Sequence, residues 1–163
     1  TNENLGIDII SLSYYWQEVH QGISNAIINL ESKGVKVVVC SGNDADEVSG
    51  VAFPASMSET IAVGAVNSEN ARWGDSQYGS TLNFTALGVD VTVVDAYSTG
   101  YVVDSGTSFA TPIVAGVLAI ILAYEANISD LSDYAINNFE GYTEDEFGAG
   151  VIEKSEVLSQ LNN

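Results

Sequence analysis

Basic residues are scarce in this sequence. Four Lys and Arg stand against 22 Asp and Glu, which leaves a formal net charge of −18 over 163 residues. Such a charge repels phosphate backbones and anionic lipid headgroups, so nucleic acid and membrane surfaces are poor partners for the chain. We interpret the acidic surface as a solvating one rather than a docking face, because net charge of either sign keeps proteins soluble.

Cysteine and histidine each occur once. Cys40 lies in the apolar run of residues 35–40, so we expect a buried thiol, and an internal disulfide is excluded. The sequence opens without a basic region followed by an apolar stretch, so no signal peptide is visible. The longest apolar run, residues 113–124, is shorter than the roughly 20 residues that span a bilayer. These absences indicate a soluble chain and leave its compartment open.

Two β-branched runs on either side of a helical pattern indicate an α/β fold. Residues 7–12 and 35–39 are rich in Ile and Val and predict buried strands. Residues 17–33 place apolar side chains at spacings of three and four, and Gly34 follows as a helix stop. A strand, helix and strand of this length predict a right-handed crossover between parallel strands.

The rest of the chain predicts two more strands and three helices. Residues 61–66 and 89–94 are the strand candidates. Residues 107–125 are apolar around nearly the whole circumference of a helix, which predicts a helix buried inside a larger body. Ser129 is the candidate N-cap of a short helix that ends at residue 138, and residues 153–161 predict a closing amphipathic helix. No repeat or linker is visible, so we expect one domain or part of one.

The most informative stretch is residues 105–116, which read SGTSFATPIVAG. Ser108 stands at the predicted start of the apolar helix, where free backbone N–H groups and the helix dipole stabilise negative charge. Gly106 permits close approach of a substrate backbone, and Pro112 is expected to be tolerated as part of the first helical turn. Because Ser is also an ordinary N-cap residue, this local pattern alone is weak evidence for catalysis.

The longer pattern resembles the nucleophile motif of the subtilisin-like (S8) serine proteases. Residues 8–13 resemble the substrate-binding strand of that family, and residues 37–43 resemble its oxyanion strand. Residues 53–55, 61–65 and 148–152 continue the resemblance in order, so it covers almost the whole chain. It implies a three-layer α/β fold with a mostly parallel sheet flanked by helices. The chain would be the C-terminal portion of one catalytic domain, without the N-terminal strands.

The resemblance also implies roles for individual residues. Ser108 would be the nucleophile of a serine endopeptidase, and Asn43 would donate its side-chain amide to the developing oxyanion together with the Ser108 N–H. Outside this context, Asn43 would be interpreted as a turn residue that follows a strand. The substrate-binding residues that the resemblance implies are Ser13, Tyr14, Tyr15, Ser41, Gly42, Gly106 and Thr107.

Two features depart from the family pattern. A serine nucleophile needs an adjacent base, normally a histidine held by a carboxylate, but the only histidine is His20. His20 follows the substrate-binding strand, whereas the family's Asp and His motifs precede it, so we expect an exposed helix residue. Tyr14, Tyr15 and Trp16 stand where the family has small residues. They either wall or close the cleft, or they pack together at the strand end.

The leading interpretation is the C-terminal half of an active serine endopeptidase domain. Its expected partners are a polypeptide substrate and the missing N-terminal half, and the chain alone is expected to be inactive and to self-associate. The alternative is a non-catalytic subtilisin-like binding or scaffold module, which an upstream reading frame without Asp and His motifs would favour. An esterase with a different serine has little support, because no Gly-x-Ser-x-Gly elbow occurs.

We expect neither a cofactor nor a metal ion. Asp44, Asp46 and Glu47 are close in sequence, but an acidic loop on so acidic a protein is more often simply solvated. The resemblance alone favours a secreted or cell-surface location, and it leaves the substrate specificity open.

Overall fold

A six-stranded sheet organises the part of the chain that this computed structural model describes, residues 6–124 and 131–161. The strand order is β1-β2-β3-β4-β8-β7; β1 to β4 and β8 run parallel, and β7 is antiparallel to β8. The elements are β1 (Ile9–Leu12), α1 (Gln21–Glu31), β2 (Lys36–Cys40), β3 (Ile61–Val66), β4 (Phe84–Leu87), β5 (Val91–Val94), β6 (Tyr101–Asp104), α2 (Thr107–Tyr124), a 3-10 helix (Leu131–Tyr134), β7 (Ala135–Ile136), α3 (Glu144–Phe147), β8 (Val151–Ile152) and α4 (Lys154–Leu161).

Alternating side chains of the central strands build two apolar layers. In β2, Val37 and Val39 face one side of the sheet and pack with Ile27 of α1. Val38 faces the other side and packs with Val63 and with residues of α2. Strands that are buried on both faces read as continuous apolar runs, which is why this run was identified from sequence. The three-layer, mostly parallel α/β architecture is therefore confirmed.

Helix α2 is the main element on the second face, and it contacts β1, β2, β3, β4, β8 and α4. By length and composition alone it is apolar enough to cross a membrane, with a mean hydropathy of 1.9 over 18 residues. Its packing against the sheet accounts for that composition, since the core helix of a soluble protein has the same character. One stripe of small residues is nevertheless exposed, namely Pro112, Gly116, Ala119 and Ala123.

One strand was missed, and one helix prediction was wrong. The strand expected at residues 89–94 is confirmed as β5, and it pairs with β6 in a hairpin outside the main sheet. The main sheet contains β4, the strand that was missed because its short sequence, FTAL, lacks a β-branched run. The helix expected to end at residue 138 is a 3-10 helix followed by β7, and its proposed cap, Ser129, lies outside the described residues.

Strand β1 has one open edge. In the described part of the chain it pairs only with β2, through a parallel register that sets Ile9 opposite Lys36. Just before this strand, Ile7 is 48% exposed. An edge with unpaired backbone groups and exposed apolar side chains is a template for a further strand.

Candidate active site

The carboxyl ends of β1 and β2 meet the first turn of α2. Parallel strands that lie side by side end at the same edge of a sheet, and ligands of open α/β sheets bind in the crevice outside that edge. Ser13 follows β1 directly, Asn43 lies three residues after β2, and Ser108 is the second residue of α2. The fold therefore brings together residues that are up to 95 positions apart in sequence.

Two hydrogen bonds hold the side chain of Asn43. Its Oδ1 accepts from the backbone N–H of Thr107 at 3.0 Å and from the Thr107 hydroxyl at 2.6 Å. A backbone N–H can only donate, so the atom that faces it must be the amide oxygen. The Nδ2 group consequently points the other way, and it donates no hydrogen bond within the described residues. A Cβ built on Gly106 would lie 3.6 Å from this Nδ2.

The turn that carries Asn43 is buried under Gln77. The backbone N–H of Gln77 donates to the Gly42 carbonyl at 3.0 Å, and its side-chain amide donates to the Gly50 carbonyl at 2.8 Å. Gly42 has a φ of +109°, and a Cβ there would lie 1.9 Å from Oε1 of Gln77. The next residue back, Ser41, is fully buried, and its hydroxyl has no hydrogen-bond partner among the described residues. Gln77 was not identified from sequence, because nothing local marks it.

The nucleophile candidate is held through its own carbonyl. Ser108 is half-buried, and its carbonyl oxygen accepts a hydrogen bond from Ser13 Oγ at 2.8 Å. In an α-helix this carbonyl would bond the N–H of residue 112, but Pro112 has none. Pro112 is the sixth residue of α2, so its expected place in the first turn was wrong. The Ser13 hydroxyl supplies the missing donor.

The single cysteine lies directly beneath this turn. Cys40 is fully buried, and the hydroxyls of Thr107 and Ser108 are near its thiol. Burial raises the pKa of the Cys40 thiol to about 11, although the two hydroxyls act in the opposite direction. The expectation of a buried thiol is confirmed. Its proximity to Ser108 was not foreseen, since it depends on how α2 crosses β2.

The three aromatic residues after β1 point to two sides. Trp16 packs against Tyr14, with ring centroids 4.5 Å apart, and against Phe53 at 6.4 Å. Trp16 also exchanges two backbone hydrogen bonds with Phe53, at 2.8 and 3.1 Å. Tyr14 is 57% exposed, whereas Tyr15 is half-buried, and burial followed by the nearby Asp44 carboxylate raises the pKa of the Tyr15 phenol. The segment thus combines aromatic packing at the strand end with a wall of the crevice.

The ring of His20 packs on the aromatic residues Trp16 and Phe53. His20 is exposed, as expected, and it occupies the N-cap position of α1 without a capping hydrogen bond from its side chain. Its ring packs edge-on against Trp16 at 5.5 Å and near Phe53 at 6.3 Å. Within residues 6–124 and 131–161, no hydrogen bond joins it to Ser108.

Asp44 also differs from the solvated loop residue that we expected. Its Oδ2 accepts from Nε2 of Gln17 at 2.6 Å. Among the described residues, no three His, Cys, Asp or Glu side chains come close enough together to hold a metal ion.

Comparison with known proteins identifies the family. The profile of the subtilase family, Peptidase S8, matches residues 1–150. Subtilisin BL of Lederbergia lenta is 37% identical over 118 residues, which are 72% of this chain and 43% of that protein. Subtilisin-like protease 1 of Pseudogymnoascus destructans is 36% identical over 121 residues, 72% of this chain and 29% of that protein. The chain belongs to the subtilase family.

A solved structure agrees with this assignment. The prenylagaramide maturation protease PagA superposes with a TM-score of 0.78 at 25% identity, over 96% of this chain and 62% of that one. The chain therefore spans less than half the length of the two curated relatives named above and under two thirds of the structural neighbour.

The bond between Ser13 and Ser108 predicts a compensating pair of substitutions. Ser13→Ala leaves the Ser108 carbonyl without a donor, and we expect a loss of about 1 kcal/mol in the free energy of unfolding. Pro112→Ala restores a backbone N–H at the matching helical position. In the Pro112→Ala background, Ser13→Ala should leave the free energy of unfolding nearly unchanged. Urea unfolding of the four proteins measures the coupling, and equal costs of Ser13→Ala in both backgrounds would contradict this account.

The raised pKa of Cys40 predicts a loss of stability at alkaline pH. The unfolded thiol ionises near its ordinary pKa of 9.0, whereas the folded thiol stays protonated until about pH 11. The stability due to this group is thus complete below pH 9 and declines as the pH rises towards 11. When the pH is raised from 8 to 10.5, the free energy of unfolding should fall in both proteins. The fall should be about 2 kcal/mol smaller for Cys40→Ala than for the unsubstituted chain. Urea unfolding at both pH values checks this. Both proteins have the same tyrosines, so any contribution of these residues cancels in the comparison.

Proposed function

We propose that this chain supplies the nucleophile and the oxyanion hole of a serine endopeptidase, which hydrolyses peptide bonds through an acyl-enzyme on Ser108. The observation that carries the proposal is the fixed carboxamide of Asn43. Thr107 holds its oxygen with two hydrogen bonds, one residue before Ser108, and leaves the Nδ2 donor free. A donor that is oriented before the reaction stabilises the charge of the tetrahedral intermediate without reorganisation.

The reaction needs a proton acceptor for Ser108. Its Oγ attacks the scissile carbonyl while a base takes the hydroxyl proton, and the carbonyl oxygen becomes an anion between Asn43 Nδ2 and the Ser108 N–H. The intermediate then expels the amine, which receives the proton, and leaves an acyl group on Ser108. Water hydrolyses this ester by the same steps. We assign no such role to His20, because it lies at the N-cap of α1 and its ring packs on Trp16.

We infer that the base and its orienting carboxylate come from a segment that contributes a strand beside β1. Strand β1 has an open edge, and α2 exposes its stripe of small residues, Pro112, Gly116, Ala119 and Ala123. A strand paired with β1 would complete the sheet at the edge nearest to Ser13 and would cover exposed apolar surface. We call this chain together with a segment that carries the family's Asp and His motifs the complete catalytic domain.

A non-catalytic binding module is the alternative, and the position of His20 favours it for the chain alone. A crevice without a base can hold an extended peptide but cannot activate Ser108. The two functions predict different reactivity of Ser108: in the endopeptidase it reacts with an electrophile, and in the binding module it does not.

Labelling with a fluorophosphonate tests the proposed function. Because an unactivated serine hydroxyl is a weak nucleophile, we expect the chain alone to remain unlabelled. The complete catalytic domain should be labelled on Ser108 and should hydrolyse casein. Ser108→Ala in the complete domain is the matched control and should abolish both signals. Strong labelling of Ser108 in the chain alone contradicts the need for a partner, and a folded complete domain without labelling supports the binding module.

Substitution of Asn43 separates an oxyanion donor from a turn residue. In the complete catalytic domain, Asn43→Ala should lower kcat by about 10²- to 10³-fold with KM nearly unchanged, the range established on a related subtilisin. The reason is that the Nδ2 donor acts on charge that exists only in the transition state and the intermediate. Steady-state kinetics and the thermal midpoint are measured together.

The control for this substitution is Thr107→Val, which keeps the size of residue 107 but removes the hydroxyl that bonds Asn43 Oδ1. It should reduce kcat by a smaller factor, since the backbone N–H of residue 107 still holds the carboxamide. If Asn43→Ala lowers the thermal midpoint while kcat stays the same, Asn43 is a turn residue and leaves the catalytic site.

A further inference from the structure

The backbone on either side of Asn43 is bonded to a loop that follows β3. The carbonyl of Gly42 accepts from the N–H of Gln77 at 3.0 Å, and the N–H of Ala45 donates to the carbonyl of Asp75 at 3.1 Å. These two bonds fix the chain one residue before Asn43 and two residues after it. The turn that carries the proposed oxyanion donor is therefore held at both ends by the same loop.

We call residues 72–77 the clamp loop, and they are attached to the central strand β3. The backbone N–H of Trp73 donates to the carbonyl of Ala65 at 2.9 Å, and the N–H of Ala65 donates to Oγ of Ser76 at 3.0 Å. Ala65 is fully buried and lies beyond the last residue of β3 that pairs with β2. The clamp loop thus takes the place beside β3 that β2 leaves when the chain turns towards Asn43.

One arginine organises the clamp loop. Its Nη1 donates to three carbonyl oxygens of this loop, at 2.9, 3.1 and 2.9 Å, those of Trp73, Gly74 and Ser76. Nε of Arg72 donates to Glu146 at 3.2 Å, and the guanidinium lies 4.4 Å from the ring centroid of Tyr78. A guanidinium suits this position because it is planar, always charged and carries five N–H donors. The shape of the clamp loop therefore depends on Arg72.

The side chain of Gln77 lies against the turn that the clamp loop holds. It is fully buried, and its Nε2 donates to the carbonyl of Gly50 at 2.8 Å. Its Oε1 has no hydrogen-bond partner among the described residues, and it would lie 1.9 Å from a Cβ built on Gly42. A buried acceptor without a donor is unfavourable, and such departures are expected at functional sites.

Resting on the proposed function, we propose that Gln77 and Arg72 are positioning residues, which place the oxyanion donor Asn43 through the clamp loop. The two hydrogen bonds from Thr107 set the rotation of the Asn43 carboxamide, whereas the clamp loop sets the position of its backbone. Both are needed, because a displacement of about 1 Å can remove much of the effect of a group on the transition state.

A double-mutant cycle in the complete catalytic domain tests whether Gln77 acts through Asn43. Gln77→Ala removes the side chain that covers the turn, and it should lower kcat by about tenfold or more with KM nearly unchanged. In an Asn43→Ala background the donor is already absent, so Gln77→Ala should change kcat by less than about twofold. Equal effects of Gln77→Ala in both backgrounds overturn the proposal, and so does an unchanged kcat with a lowered thermal midpoint.

Two further variants separate packing from hydrogen bonding. Gln77→Met keeps the bulk beside Gly42 but cannot donate to Gly50, so it should lower kcat by a smaller factor than Gln77→Ala. Arg72→Met keeps the apolar stem of the side chain but removes every donor to the clamp loop. It should lower kcat in the unsubstituted domain and have little effect in the Asn43→Ala background. An effect of Arg72→Met that persists in full in that background contradicts its positioning role.

Thr60→Val is the matched control. Thr60 is also buried, and its hydroxyl also holds a loop by donating to carbonyl oxygens at 3.2, 3.1 and 2.8 Å, those of Pro54, Ala55 and Met57. These three carbonyls lie outside the clamp loop and outside the turn after β2. The substitution should lower the thermal midpoint and leave kcat within about twofold. A fall in kcat as large as that of Gln77→Ala would indicate general loosening and would overturn the proposal.

A measurement without turnover separates this proposal from the proposed function. In the full chain, amide hydrogen exchange followed by NMR reports on the N–H groups of Ala45 and Thr107, which bond the clamp loop and Asn43. Gln77→Ala should speed exchange at both by about tenfold or more, whereas Thr60→Val should change it by less than about twofold. Unchanged exchange in Gln77→Ala overturns the proposal. If exchange is faster but the complete domain cleaves no peptide, the proposed function fails while the hold of the clamp loop on the turn is confirmed.

Discussion

Two hydrogen bonds from Thr107 to the side-chain oxygen of Asn43 join the end of β2 to the first turn of α2. Both ends of this connection are anchored in the core: β2 lies between two other strands, and α2 packs against five strands. Neither Asn43 nor Ser108 can therefore shift without moving a buried element. This connection fixes the orientation of the free Nδ2 donor, on which the proposed oxyanion hole depends. If the carboxamide rotated, its NH₂ group would face the N–H of Thr107, and two donors would meet.

Close backbone approach around this connection explains several residue choices that look unrelated in the sequence. The N–H of Gly106 donates to the carbonyl of Gly88 at 2.8 Å, and a Cβ on Gly88 would lie 2.7 Å from the carbonyl oxygen of Gly106. Pro112 removes a helical donor, and Ser13 replaces it from another element. In each case a residue departs from ordinary local preferences, and a residue distant in sequence compensates for it. Such departures are expected at functional sites.

Much of the architecture could be predicted because buried elements have a distinctive local composition. The apolar run at β2 and the apolar helix α2 were found, since elements buried on two or more faces show it in composition. Strand β4 could not be found in the same way, because four residues that contain one fully buried Thr have no distinctive pattern. The place of β5 in a separate hairpin was equally hidden, since periodicity identifies a strand but not its neighbour.

The sequence by itself determined the chemistry that is available: one serine at a helix start, one asparagine after a strand, and a single histidine outside the family's motif. Only the tertiary structure decided which side chains meet. Gln17 and Asp44 are 27 positions apart, and their hydrogen bond depends on the parallel pairing of β1 with β2 and on the packing of Trp16 on Phe53. The physical reason is that composition and spacing act along the chain, whereas strand order and side-chain direction depend on contacts between distant segments.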